Sequence, residues 1–76
     1  KETACYPNPT AGKIFFPHQV AGNSYQVFSL PGAVVRQGII KGNGIELSGL
    51  KSGIYFIKIA ENDADKFSLF KVLKED

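Results

Sequence analysis

Seventy-six residues with a net charge of +2, 43% hydrophobic and 21% charged side chains suffice for one small globular domain and are too apolar for a disordered tail. The weak positive charge is spread along the chain with no dense basic stripe, which argues against nucleic acid as a partner. No apolar run is long enough to cross a bilayer as a helix, and a single cysteine, Cys5, excludes an internal disulfide.

The start, Lys1-Glu2-Thr3-Ala4, shows no secretory leader and runs directly into a Pro-rich turn, so the chain reads as a module of a longer precursor. Cys5 is expected to be a free, half-buried thiol, in preference to a bond with an upstream segment. Short runs of β-branched and aromatic residues broken by Gly, Pro and Asn then predict strands over Lys13–Pro17, Ser24–Leu30, Ala33–Ile40, Ile45–Ser48, Ile54–Glu61 and Lys66–Lys74. An extended piece at Ala4–Tyr6 would add a seventh. No stretch carries apolar residues at helical spacing with caps.

The turns have their own chemistry. Leu30-Pro31-Gly32-Ala33 predicts a type II turn in which Pro31 presets φ and Gly32 supplies a positive φ. Lys41-Gly42-Asn43-Gly44 carries the Asn-Gly hairpin signal, and Leu50-Lys51-Ser52-Gly53 closes a third turn on glycine. Asn62-Asp63-Ala64-Asp65 is a polar loop. Short strands joined this regularly imply an all-β fold: a small antiparallel, Ig-like β-sandwich of six to seven strands.

Alternation assigns faces. Tyr55, Ile57 and Ile59 form a uniformly large apolar face and belong to the core; Ile54, Phe56, Lys58 and Ala60 point the other way. The last strand does not divide cleanly. Phe67, Leu69, Lys71 and Leu73 share one face, and Ser68, Phe70, Val72 and Lys74 the other. Either a bulge switches the phase midway or the strand is only partly covered, which would leave an edge for a partner to pair with.

Catalytic and metal patterns are missing from the sequence. His18 sits between Pro17 and Gln19 in a turn and reads as an exposed loop residue, and the five serines lack a nucleophile-elbow context. The glycines separate strands, so no phosphate-binding loop is expected. Asp63 and Asp65 lack the glycine and distal glutamate of a calcium loop, and no zinc spacing is present. The chain is expected to be no enzyme and to need no cofactor and no metal.

Four segments in order carry a family resemblance. They are Tyr6-Pro7-Asn8-Pro9, the strand–turn–strand from Tyr25 to Val35, the block from Ile45 to Ile59 with Leu50-Lys51-Ser52-Gly53-Ile54-Tyr55 at its centre, and the ending Lys71-Val72-Leu73-Lys74. Over nearly the whole length this resembles the type A C-terminal sorting domain of the type IX secretion system. Ser29 and Pro31 depart from the family's pattern at the second segment, which alters the turn's chemistry and still allows a tight turn. Tyr6, Pro7, Asn8, Pro9, Gly32, Gly53 and Tyr55 have structural explanations: fixed φ at the prolines, permissive backbone at the glycines, burial of the Tyr6 ring as an anchor and of Tyr55 in the core. Lys71, Val72 and Lys74 are the expected recognition surface, since two lysines near the chain end do little for a core.

The resemblance implies a single sorting domain over residues 1–76, the last module of a larger secreted or surface protein. Its cargo would cross the periplasm, pass the outer-membrane translocon, and reach the cell surface or medium. Partners would be the translocon, shuttle and sortase proteins of that machinery and the upstream cargo domains. The alternatives are a β-sandwich module binding carbohydrate or protein, against which the lack of Trp counts, and an oligomer-forming module that self-associates through an edge strand.

Overall fold

The computed structural model describes residues 5–7, 9–17, 19–61 and 65–75. All six predicted strands are present: β1 (Lys13–Phe15), β2 (Ser24–Ser29), β3 (Val34–Ile39), β4 (Gly44–Glu46), β5 (Gly53–Ala60) and β6 (Phe67–Lys74). They form two antiparallel sheets, β1-β4 and β3-β2-β5-β6, which make a small β-sandwich. Of the seventh, Ala4–Tyr6, Tyr6 makes a bridge with Phe15 and Ala4 lies outside the described residues. Asn8, His18 and residues 62–64 of the polar loop also lie outside them.

The turns follow the glycines, with two shifts. Ser29 receives the amide of Gly32 and donates to Ala33, so the β2–β3 turn closes one residue earlier than expected, with Gly32 at φ +103°. In the Lys41–Gly44 hairpin the positive φ falls on Gly42 at +66°, and among the described residues no non-glycine residue has one. A single positive φ at the first central residue is the signature of a II′ turn, so the Gly-Asn pair, and not Asn-Gly, makes this connection. Gly44 is required for a different reason: a Cβ there would stand 2.7 Å from the carbonyl oxygen of Ile14 across the β1–β4 pair.

The core lies between the sheets. Val27, Ile57, Ile59 and Val72 from the four-stranded sheet meet Ile14, Phe16, Ile45 and Leu47 from the other side, all essentially without solvent exposure. Each such side chain contributes on the order of 1.5–3 kcal/mol by leaving water. Tyr55 is buried as expected, and its hydroxyl donates to the carbonyl of Lys51 at 2.6 Å. Among the described residues no buried side-chain N or O atom lacks a hydrogen-bond partner.

Candidate functional site: the terminal strand and its outer side

β6 pairs with β5 in unbroken register from Gly53↔Lys74 to Ala60↔Phe67. No bulge switches its phase, so the second sequence expectation applies: the strand is covered on one face only. Ser68, Phe70, Val72 and Lys74 turn inward, and the Phe70 ring meets the edge of Phe16 at 5.0 Å. Phe67, Leu69, Lys71 and Leu73 turn outward, with Phe67 and Leu69 more than half exposed.

The strand stands at the edge of its sheet. Residues 68, 70, 72 and 74 direct their peptide groups at β5, so 67, 69, 71 and 73 direct theirs away from it. Cys5 and Thr10 of the lead-in cover the half of this edge that runs from Lys71 to Glu75. The amide of Thr10 donates to the carbonyl of Leu73 at 2.9 Å, and the amide of Glu75 donates to the carbonyl of Thr10 at 2.7 Å. Thr10 is itself buried, its hydroxyl donating to the Lys13 carbonyl and accepting from the Gly12 amide. Cys5 is buried as well, its Sγ 4.0 Å from the carbonyl of Lys71. Burial pushes the Cys5 thiol pKa above its ordinary value, an effect partly offset by a backbone hydrogen bond. At Phe67 and Leu69 no bonded strand or bridge covers the outward edge among the described residues.

The residues expected to recognise a partner divide accordingly. Lys71 is exposed, whereas Val72 is fully buried and Lys74 is 3% exposed. The Lys74 ammonium donates to the carbonyls of Leu50 at 3.2 Å and Glu75 at 3.4 Å, which ties the end of β6 to the turn before β5. Of the motif residues, Pro7 and Pro9 are exposed, and the Tyr6–Pro7 peptide is cis. Gly53 takes φ +150° at the first position of β5. The Tyr6 ring is 49% exposed, so it does not anchor by burial. It lies on Phe15 with centroids 6.1 Å apart, and two backbone bonds to Phe15 hold the segment.

Sequence reasoning did not single out Lys58, Phe67 or Leu69. The outer face of β5 and β6 interleaves them: Phe56 pairs with Lys71, Lys58 with Leu69, and Ala60 with Phe67. The Lys58 ammonium stands 4.5 Å from the centre of the Phe67 ring. The mixture of lysine and large apolar residues at alternate positions was the available signal.

The chain matches, over residues 4–73, the family described as the secretion system C-terminal sorting domain, that of type IX secretion. It belongs to that family, which is one of sorting signals. No curated protein matches the chain.

Proposed function

We propose that this domain is the export signal at the C-terminal end of a larger cargo protein, read through β6 by the outer-membrane machinery of type IX secretion. Family membership supports the coarser statement that the chain is a sorting signal for that route, carried by a longer precursor and serving passage to the cell surface or medium. Passage through the periplasm, binding by the translocon and shuttle, and processing by the sortase belong to the proposal.

The single observation that carries the reading is the state of β6: an edge strand rigidly held on its inner face, half open on its edge and apolar on its outer face. Such a strand offers peptide groups for strand addition, with Lys71 beside them as a charge that fixes orientation. Val72 and Lys74 serve recognition from inside, by holding the strand straight.

Leu69→Pro tests this. The Leu69 N–H points away from β5, so proline leaves the β5–β6 ladder intact and removes a donor from the open edge. Leaving a partner's acceptor unsatisfied costs about 1–3 kcal/mol, a factor of roughly ten in affinity. Surface export of a reporter fused to the domain is expected to fall accordingly while its circular dichroism is unchanged. Export at the wild-type rate by a folded Leu69→Pro fusion would sink the reading. Deleting Lys71–Asp76 is a blunter test, because it also removes the buried Val72 and Lys74.

A further inference from the structure

Away from the β6 edge, strand pairing lays two rows of side chains across the outer face of β3, β2 and β5. One row runs Ile39, Ser24, Ala60 and on to Phe67 of β6, with Ile39 opposite Ser24 and Ala60 opposite Phe67. The other runs Gln37, Gln26, Lys58. In the first row two small side chains stand between two large ones. The step leaves an open hollow of about 430 Å³, floored by Ser24 and Ala60 and walled by Ile39 and the polar row. Sites for small ligands span roughly 300–1,000 Å³.

The polar row has bonding capacity to spare. Nε2 of Gln26 donates to Oε1 of Gln37 at 3.4 Å, which leaves Oε1 of Gln26 as an acceptor and Nε2 of Gln37 as a donor on directly opposed side chains. Turning both amides over again leaves one acceptor and one donor. Two adjacent hydroxyls, one donating and one accepting, satisfy that pair, so the fitting group is a vicinal diol. The Ser24 hydroxyl adds a third polar contact, and Ile39 and Ala60 offer apolar surface to the C–H face of a sugar ring. Lys58 is the one charged residue of the lining. Its ammonium stands 4.5 Å from the centre of the Phe67 ring and has no carboxylate partner among the described residues, so it favours an anion. The peptide groups of Gln26 and Lys58 are spent on the β2–β5 ladder; the floor therefore recognises through side chains and gives a strand nothing to pair with.

We infer that this hollow binds an acidic saccharide: a hexuronate residue whose vicinal hydroxyls meet Gln26 and Gln37 and whose carboxylate meets Lys58. The site goes beyond the export reading and uses no group of the β6 edge, so the two stand or fall separately.

The experiment titrates the 76-residue chain with tetragalacturonate and follows backbone and side-chain amides by NMR. Saturable shifts are expected at Ser24, Gln26 and Gln37, with the buried Ile57 and Val72 unmoved. The methyl-esterified tetrasaccharide keeps the diols and loses the charge, and should bind about tenfold more weakly. The same loss is expected for a chain whose vicinal diols have been cleaved by periodate and reduced to alcohols. Tetraglutamate, with carboxylates and no diols, should not saturate. Gln26→Met with Gln37→Met keeps the side-chain length and should abolish the preference for the intact over the cleaved saccharide. Lys58→Met should abolish the preference for the acid over the ester, and unmoved core amides show that both variants fold. Absence of saturation, equal binding of the ester, the cleaved saccharide or tetraglutamate, shifts centred on β6, or variants that bind as the parent does would each overturn the inference.

Discussion

The four-stranded sheet ends in two edge strands that differ in almost every respect. Among the described residues β3 is partnered only by β2; it carries a bulge opposite Val27 and Phe28 and leaves Val34, Val35 and Ile39 exposed. β6 runs straight for eight residues against β5, buries every second side chain from Phe70 to Lys74, and has half its edge closed by the lead-in segment. Both strands are rich in aliphatic residues, so composition does not separate them. What separates them is the second layer: β6 has Phe16 and Cys5 behind and beside it, whereas β3 is tied across the sandwich by the Arg36 side chain, which donates to the carbonyl of Glu46. The two edges also discourage accidental pairing by different means, a twist at β3 and a cover at β6.

Truncating one residue on each strand should widen this contrast most. Phe70→Ala removes a buried ring and is expected to cost about 3–5 kcal/mol, enough to unfold a domain this small. Ile39→Ala, at 58% exposure on β3, should change stability by no more than about 0.5 kcal/mol. Urea midpoints of the two variants check both numbers; comparable losses would show that β3 carries as much of the core as β6.

A smaller effect sharpens the role of the cover. Thr10→Val keeps the shape and removes the hydroxyl that serves Lys13 and Gly12, at a cost of about 1–3 kcal/mol. Amide exchange should accelerate at Glu75, whose N–H bonds to Thr10, and stay unchanged at Gln37 on β3. Equal acceleration at both sites would mean the cover acts on the whole sheet.

The smallest effect is pH dependence at Cys5. Its folded pKa is raised by burial, so the unfolded chain loses the thiol proton first. Stability is therefore complete below the ordinary value of 9.0 and declines as pH rises through it. The difference in urea midpoint between wild type and Cys5→Ala should shrink on passing to higher pH, and a difference that grows would reverse the assignment.

Much of this architecture was legible before any coordinates. Gly32 and Gly53 adopt positive φ, and Tyr55, Ile57 and Ile59 fill the core, because punctuation by glycine and period-two alternation are local properties of the chain. The orientation of β6 was not legible, since hydropathy points the wrong way at Lys74 on the inner face and at Phe67, Leu69 and Leu73 on the outer one. Lys74 is buried because its stem packs inward and its ammonium reaches the Leu50 carbonyl, and Leu69 is exposed because no second layer covers that face. The Tyr6 ring likewise failed to bury, its segment being held by backbone pairing that side-chain patterns do not encode.

The pairing of Thr10 with Leu73 and Glu75 joins segments more than sixty residues apart. Such a contact closes only after the whole intervening chain exists, and the loop entropy it must overcome makes it a late event in folding. A polypeptide interrupted before Phe70 would lack both the wall that Phe70 and Val72 give the core and the strand against which Thr10 lies. The finished sandwich thus reports that synthesis has passed Glu75: a binder selective for the folded domain would bypass chains that stop short of that residue.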